Sequence, residues 1–310
     1  MEKFDYSVPE SRKVRYIIHT DCKNEADDQY TVAHCLLTQM MDVKGIVAAH
    51  FNTCFGRYED GTTATESYNE VIRVLEAMDM TNKYPVFVGA QKALVDENTP
   101  NPSEGADFII QEAMKEDDRP LYIGLQGSLT DLATAILIKP EICNRMTAIW
   151  IGGGEYPVGG QEFNLMQDIA AANVVMKSDM PLWQVPANVY KNFAVSLAEL
   201  QCKVKPYGKL GAYLFEELVE LNSKLCVQMA DFDWPHGELW GLGDEGVVAA
   251  LMHEQQRKDL YHMRKAPTID YQTMEYIPSE INREIRVYDK MDYRFTLEDL
   301  FCKLAIFANE

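Results

Sequence analysis

The stretch HTDCKNEADDQ, residues 19–29, packs Asp21, Asn24, Glu25, Asp27 and Asp28 into eight positions. Carboxylates this close repel one another unless a cation or a proton relieves them. Oxygen-only ligands suit a hard divalent cation, Ca²⁺ or Mg²⁺. The same acids would also suit the N-terminus of a helix, whose dipole favours negative charge. Cys22 lies inside this stretch, either as a reactive thiol or, more simply, as a small buried side chain.

The elements that must carry these residues alternate. Val14–Thr20 (VRYIIHT) reads as a buried strand, and Asp27–Met40 follows with helical spacing. Val43–Ala49 is the second strand. Then come a helix over Thr63–Met78, a strand at Val86–Val88, a helix over Ser103–Lys115 and a strand at Leu121–Leu125. Ser128 is expected to cap a helix that stops before Pro140. A strand at Ala148–Ile151, a helix over Asp168–Lys177 and a strand at Leu182–Val185 follow. This alternation predicts an α/β fold with a mostly parallel central sheet flanked by helices. Helices over Leu210–Met229, Glu245–Met252 and Phe295–Phe307, with a polar, β-leaning Lys265–Tyr288, predict a helical and β-rich C-terminal elaboration. With no repeat or linker, residues 1–310 are expected to form a single domain. Ligands bind beyond the carboxyl ends of such strands. Four such ends carry Asp21 to Asp28, His50 to Asn52, Gln126 to Thr130 and Gly152 to Asn164.

Several pieces resemble the inosine-uridine preferring nucleoside hydrolase family. The opening strand runs into His19-Thr20-Asp21 and then Asp27-Asp28, like a divergent form of that family's D-x-D-P-G-x-D-D. GIVAAHFN (45–52) resembles its second strand, ending at Asn52. LQGSLTDLATAILIKPEI (125–142) resembles its G-P-L-T-N-L-A segment. IWIGGG (149–154), then Glu162-Phe163-Asn164 with Asp168, resembles its Gly-Gly loop and E-F-N block, and GLGDEGVVAAL (241–251) its late H-D segment. The order of the pieces and their spread over some three quarters of the chain carry the likeness.

The resemblance implies a Rossmann-type nucleoside hydrolase fold and hydrolysis of the N-glycosidic bond of a ribonucleoside or related N-riboside. It implies Ca²⁺ held by Asp21, Asp28, the Thr130 carbonyl and Asp244. Asp21 would be the general base for a water whose pKa the metal lowers. Asp27, Asn52, Glu162 and Asn164 would grip the sugar, with Asn164 also stabilising positive charge on the ring. The family's His before the late Asp is Gly243 here, so that proton donor is missing. His236, Trp240, Tyr156 and His50 are the nearby candidates, Trp240 also as an aromatic against the base. Plainer readings stand beside these: Asp244 as an N-cap, Asn52 as a turn residue, and the indoles of 231–241 as packing. His19 and Asp131 depart from the family's Asp and Asn and would alter the surroundings of the metal.

Two other classes remain open. One is a protein that binds Ca²⁺ and ribose without chemistry, motivated by Gly243. The other is another metal-dependent hydrolase such as a phosphatase, which would need a second metal about 4 Å away and basic side chains near the motifs. A net charge of −19 argues against nucleic acid as a partner, since a polyanion is repelled. No apolar run approaches the length of a membrane span, and the first residues lack an apolar export core. The seven cysteines show no C-x-x-C and an irregular spacing, which suits reduced thiols in a cytoplasm. The expected partners are a small nucleoside and further copies of the chain, as a homodimer or homotetramer.

Overall fold

The computed structural model describes residues 4–51, 58–228, 237–254 and 257–308. The strands are β1 (Val14–Thr20), β2 (Met41–Ala48), β3 (Val86–Val88), β4 (Leu121–Leu125), β5 (Met146–Ile151), β6 (Leu182–Val185), β7 (Ala194–Ser196), β8 (Leu239–Gly241), β9 (Tyr261–Lys265), β10 (Thr268–Ile269), β11 (Tyr276–Ile277) and β12 (Glu284–Tyr288). The α-helices are α1 (Asp28–Leu37), α2 (Thr63–Ala77), α3 (Glu104–Ala113), α4 (Thr130–Ile138), α5 (Phe163–Gln167), α6 (Ile169–Lys177), α7 (Ala187–Tyr190), α8 (Leu197–Lys203), α9 (Gly208–Gln228), α10 (Glu245–His253) and α11 (Tyr293–Ala308).

Eight strands form the central sheet in the order β3-β2-β1-β4-β5-β6-β12-β9. All neighbours are parallel except β9, which runs antiparallel to β12 at the edge. Every residue of β1 is buried, as a strand covered on both faces requires. One face packs on α3, α4 and α6 through Phe108, Ile109, Leu132 and Val175. The other packs on α1, α9, α10 and α11 through Val32, Leu214, Val247 and Leu300. The expected parallel α/β architecture is therefore what the chain adopts.

The β-rich C-terminal part supplies β12 and β9, which extend the main sheet. One expectation needs correction. Ser128 does not cap α4: Leu129 holds the cap position with no side-chain bond, and Ser128 Oγ lies 3.2 Å from His50 Nε2.

The strand order places a topological switch between β1 and β4. The chain leaves β1 toward β2 and β3, then returns to β4 and proceeds the other way. The crevice at such a point is where open α/β sheets hold ligands. Asp21 follows β1 there, and Gln126 follows β4.

Candidate active site

Two helices begin at this crevice. Asp27 and Asp28 open α1, and Asp244 precedes α10. Neither Asp27 nor Asp244 makes a side-chain cap bond to its own helix. This separates them from Ser103, Glu162 and Asp168, whose side chains do cap α3, α5 and α6. The acids at the switch point are thus not explained as caps. Asp27, Asp28 and Asp244 each bring a carboxylate oxygen within 4.8 Å of the others, and all three are buried. Asp28 also accepts a short hydrogen bond from the Thr20 hydroxyl, and Asn24 Nδ2 donates to Asp21 Oδ2 at 3.3 Å.

The electrostatics follow from that packing. Asp21, Asp28 and Asp244 are pushed well above the usual carboxylate range, by burial first and then by neighbouring carboxylates, Asp28 foremost for Asp21 and Asp27 foremost for Asp28 and Asp244. Burial raises Asp27 to about 6, against the backbone N–H groups of Asp244, Asp28 and Gly243 that favour its ionised form. Buried carboxylates facing each other at helix N-termini suit a hard divalent cation, which would lower all four pKa values. A Cβ on Gly127 would lie 2.8 Å from Asp21 Cγ, so the β4 loop can approach this carboxylate only without a side chain there.

The cleft holds about 530 Å³ of space open to solvent. Asp21, Asp27, Asp28, Asp244, Glu162 and Asn164 all line it, together with Asn24, Glu25, Gln126, Tyr190 and Lys191. The loop after β5 supplies Glu162 and Asn164, and Asn164 Nδ2 donates to the carbonyls of Ile151 at 2.9 Å and Gln126 at 3.4 Å. Two acceptors fix which end of the amide is nitrogen, leaving Oδ1 for a ligand. Glu162 is more constrained than its proposed sugar-gripping role suggests. Its Oε1 accepts from Asn164 N at 3.1 Å and the Tyr190 hydroxyl at 2.7 Å; its Oε2 accepts from Gly153 N at 2.7 Å and Leu165 N at 2.9 Å. This carboxylate holds the loop in shape.

Other expected site residues are elsewhere. Thr130 is fully buried at the start of α4, where its hydroxyl donates to Asp168 Oδ2 at 2.7 Å, and it does not line the cleft. The residue of the same loop that does so is Gln126. Trp240 is also fully buried in the apolar core, because β8 alternates and turns Leu239 outward and Trp240 inward. His50 contacts Thr130 Oγ1 at 2.7 Å, and the Tyr156 hydroxyl donates to Gln184 Oε1 at 3.0 Å; neither lines the cleft. Cys22 is buried and its thiol is pushed up, mainly by burial, as the plainer reading of a small packing side chain expects. Asn52 and His236 lie outside the described residues.

Gly243 has a structural counterpart. A Cβ there would stand 2.8 Å from Tyr190 Cδ2, so the Tyr190 ring fills the space a side chain at 243 would enter. Tyr190 escaped the sequence reading because the loop after β6 was not counted among the carboxyl ends. That rule would have found it.

Comparison with known proteins agrees with this geometry. The sequence profile described as inosine-uridine preferring nucleoside hydrolase matches residues 16–291. The pyrimidine-specific ribonucleoside hydrolase RihA of Escherichia coli is 25% identical over 261 residues, covering 76% of this chain and 75% of that protein. A purine-preferring ribonucleoside hydrolase from Gardnerella vaginalis has the same fold, with a TM-score of 0.75 at 16% identity over 95% of this chain and 99% of that one. The plant nucleoside hydrolase PpNRh1 gives 0.73 at 17% identity over 94% and 99%. With its buried carboxylates converging at the switch point of this sheet, the chain belongs to the inosine-uridine preferring nucleoside hydrolase family and is, by that membership, an N-glycosyl hydrolase.

Proposed function

We propose that the protein hydrolyses the N-glycosidic bond of a ribonucleoside or related N-riboside in the cleft at the β1–β4 switch point, with Ca²⁺ as its cofactor. The observation that carries this reading is the meeting of Asp21, Asp27, Asp28 and Asp244, from two distant chain segments, around one buried polar space. Asp28 and Asp244, with Asp21 lining the same cleft, would hold the cation, and Asp27 is the third carboxylate within 4.8 Å of Asp28 and Asp244. When bound, a cation there neutralises the carboxylates and lowers the pKa of a water molecule.

The chain's own residues supply the rest. Asp21 takes a proton from the attacking water. Asp27 accepts a hydrogen bond from a sugar hydroxyl, and Asn164 offers its amide oxygen to the ring. As the bond to the base breaks, its electron pair leaves with the base, which takes a proton from solvent, and the water oxygen bonds to the sugar carbon; positive charge grows on the sugar meanwhile, and a wall of oxygen acceptors stabilises it more than the neutral ground state. Glu162 and Tyr190 keep the Asn164 loop at the correct depth. Lys191 is the one cation among the described residues lining the cleft, which suits an uncharged or positively charged ligand better than a phosphate. The Trp240 ring and the Thr130 hydroxyl have no part in this scheme, the first buried in the core and the second bonded to Asp168.

The test is release of free base from a panel of nucleosides, followed by chromatography, with Ca²⁺ and again with a chelator. Turnover is expected with the metal and not without it. Asp21→Ala is expected to lower turnover by at least about a thousandfold, the scale of removing a general base and a ligand together. Full activity in Asp21→Ala would sink the assignment.

A further inference from the structure

Gln126 is the first residue beyond β4. Its N–H donates to the His19 carbonyl at 2.9 Å, continuing the parallel ladder by one step at the switch point. Its side chain is 1% exposed and lines the cleft. Both amide atoms, Oε1 and Nε2, lack a hydrogen-bond partner among the described residues. Buried polar atoms are almost always paired, and an orphaned pair aimed into a binding cleft points to a missing partner.

The chemistry of that partner follows from the surroundings. The neighbours Asp21, Asp28 and Asp244 are acceptors when ionised, so the wall is poor in neutral donors. Gln126 Nε2 adds one. A hydroxyl accepts from Nε2 while giving its own hydrogen to Oε1 or to a carboxylate. A cation would use Oε1 alone and leave Nε2 orphaned. We propose that the Gln126 side chain binds a hydroxyl of the sugar, acting as a substrate-binding residue beside the carboxylate cluster. The proposal rests on the reading that this cleft takes a riboside.

The experiment measures D-ribose binding by calorimetry in saturating Ca²⁺, and Ca²⁺ binding alone, for the wild type and for Gln126→Leu. Leu has a similar volume and removes the unpaired polar atoms, so the variant is expected to melt no lower than wild type. Gln126→Asn, which keeps the amide but shortens its reach, provides a second variant. Both are expected to weaken ribose binding about tenfold, the effect of one good hydrogen bond, with Ca²⁺ affinity unchanged within about twofold. Equal ribose affinity in wild type and Gln126→Leu would overturn the proposal. So would a parallel loss of Ca²⁺ affinity, which would make the amide a metal ligand, or no ribose binding by the wild type. Base release by the wild type is scored separately. Cleavage with unaltered ribose binding in Gln126→Leu refutes only the Gln126 role. Ribose binding through Gln126 without cleavage of any nucleoside refutes only the hydrolase reading.

Discussion

Asp27→Asn offers a quantitative test of the charge cluster. Burial lifts the Asp27 carboxyl from 3.8 to about 6 in the metal-free fold. In the unfolded chain it returns to an ordinary value near 4. A group whose folded pKa is raised contributes stability that is fully present below the unfolded pKa and is lost as pH rises through the folded one. For Asp27 that window runs from about pH 4 to about pH 6, and a shift of about two units corresponds to about 3 kcal/mol. An Asn carries no charge to desolvate, and its oxygen still accepts from Asp244 N, a bond of 3.3 Å in the wild type. In chelator at pH 8, Asp27→Asn is therefore expected to be more stable than wild type by up to about 3 kcal/mol, or roughly 4–6 °C in Tm for a chain of this size. Thermal melts at pH 5 and pH 8 provide the assay. The wild type should lose stability between the two, and more than Asp27 alone accounts for, since Asp21, Asp28 and Asp244 are raised as well. Saturating Ca²⁺ should cancel or reverse the advantage of Asn. A metal-free wild type equally stable at both pH values, or an Asp27→Asn variant no more stable than wild type at pH 8, would refute the reasoning.

Three further outcomes are expected. Gly243→His should not restore a proton donor, because the Tyr190 ring occupies the required space; overpacking should cost about 1–3 kcal/mol in denaturant unfolding, and an unperturbed, more active variant would contradict this. Tyr190→Phe removes the hydroxyl bonded to Glu162 Oε1; it should lower kcat about tenfold through a loosened Asn164 loop, read in steady-state kinetics, while Ca²⁺ affinity is retained. Thr130→Val keeps the backbone but loses the bond to Asp168; it should lower stability by about 1–3 kcal/mol without changing Ca²⁺ affinity, as melting and calorimetry would show.

The sequence carried the centre of the sheet well and its far edge poorly. β1, β4 and β6 coincide with the apolar runs seen in the residues, because central parallel strands bury both faces and leave a continuous apolar signature; β3, at the opposite edge and half-buried, was marked by its short apolar run alone. β9, with its pattern YHMRK, is an edge strand whose residues are mostly exposed, so no periodicity marks it. β12 is legible only once β6 is known to need a neighbour. In the site, the acids of 21–28 were visible because they are contiguous. Asp244 emerged from the resemblance, since only tertiary folding brings α10 beside α1. Gln126 stood in the noted β4 loop but was not singled out, because a lone amide carries no signal until the fold shows it buried and lining the cleft. Trp240 looked like a platform for a base; the inward half of a short alternating strand made it core instead.

Behind the cleft, His34 of α1 contacts Glu245 Oε2 of α10 at 2.6 Å through Nδ1 and Asp299 Oδ2 of α11 at 2.8 Å through Nε2. Burial opposes its charge, but those two carboxylates outweigh that and hold its pKa up. Thr31 Oγ1 reaches Glu245 Oε1 at 3.3 Å, and Lys303 bonds Thr38 at 2.9 Å. The two helices that present the opposing acids are therefore tied together through Glu245, one residue beyond Asp244, and through Thr31 and His34, three and six residues beyond Asp28. These bonds oppose spreading under mutual repulsion and hold the gap between the helices at its width. On the proposed reading, loading such a preset gap would call for dehydration of the incoming ion more than movement of the protein, and an ion of the wrong radius would meet a frame slow to adjust to it.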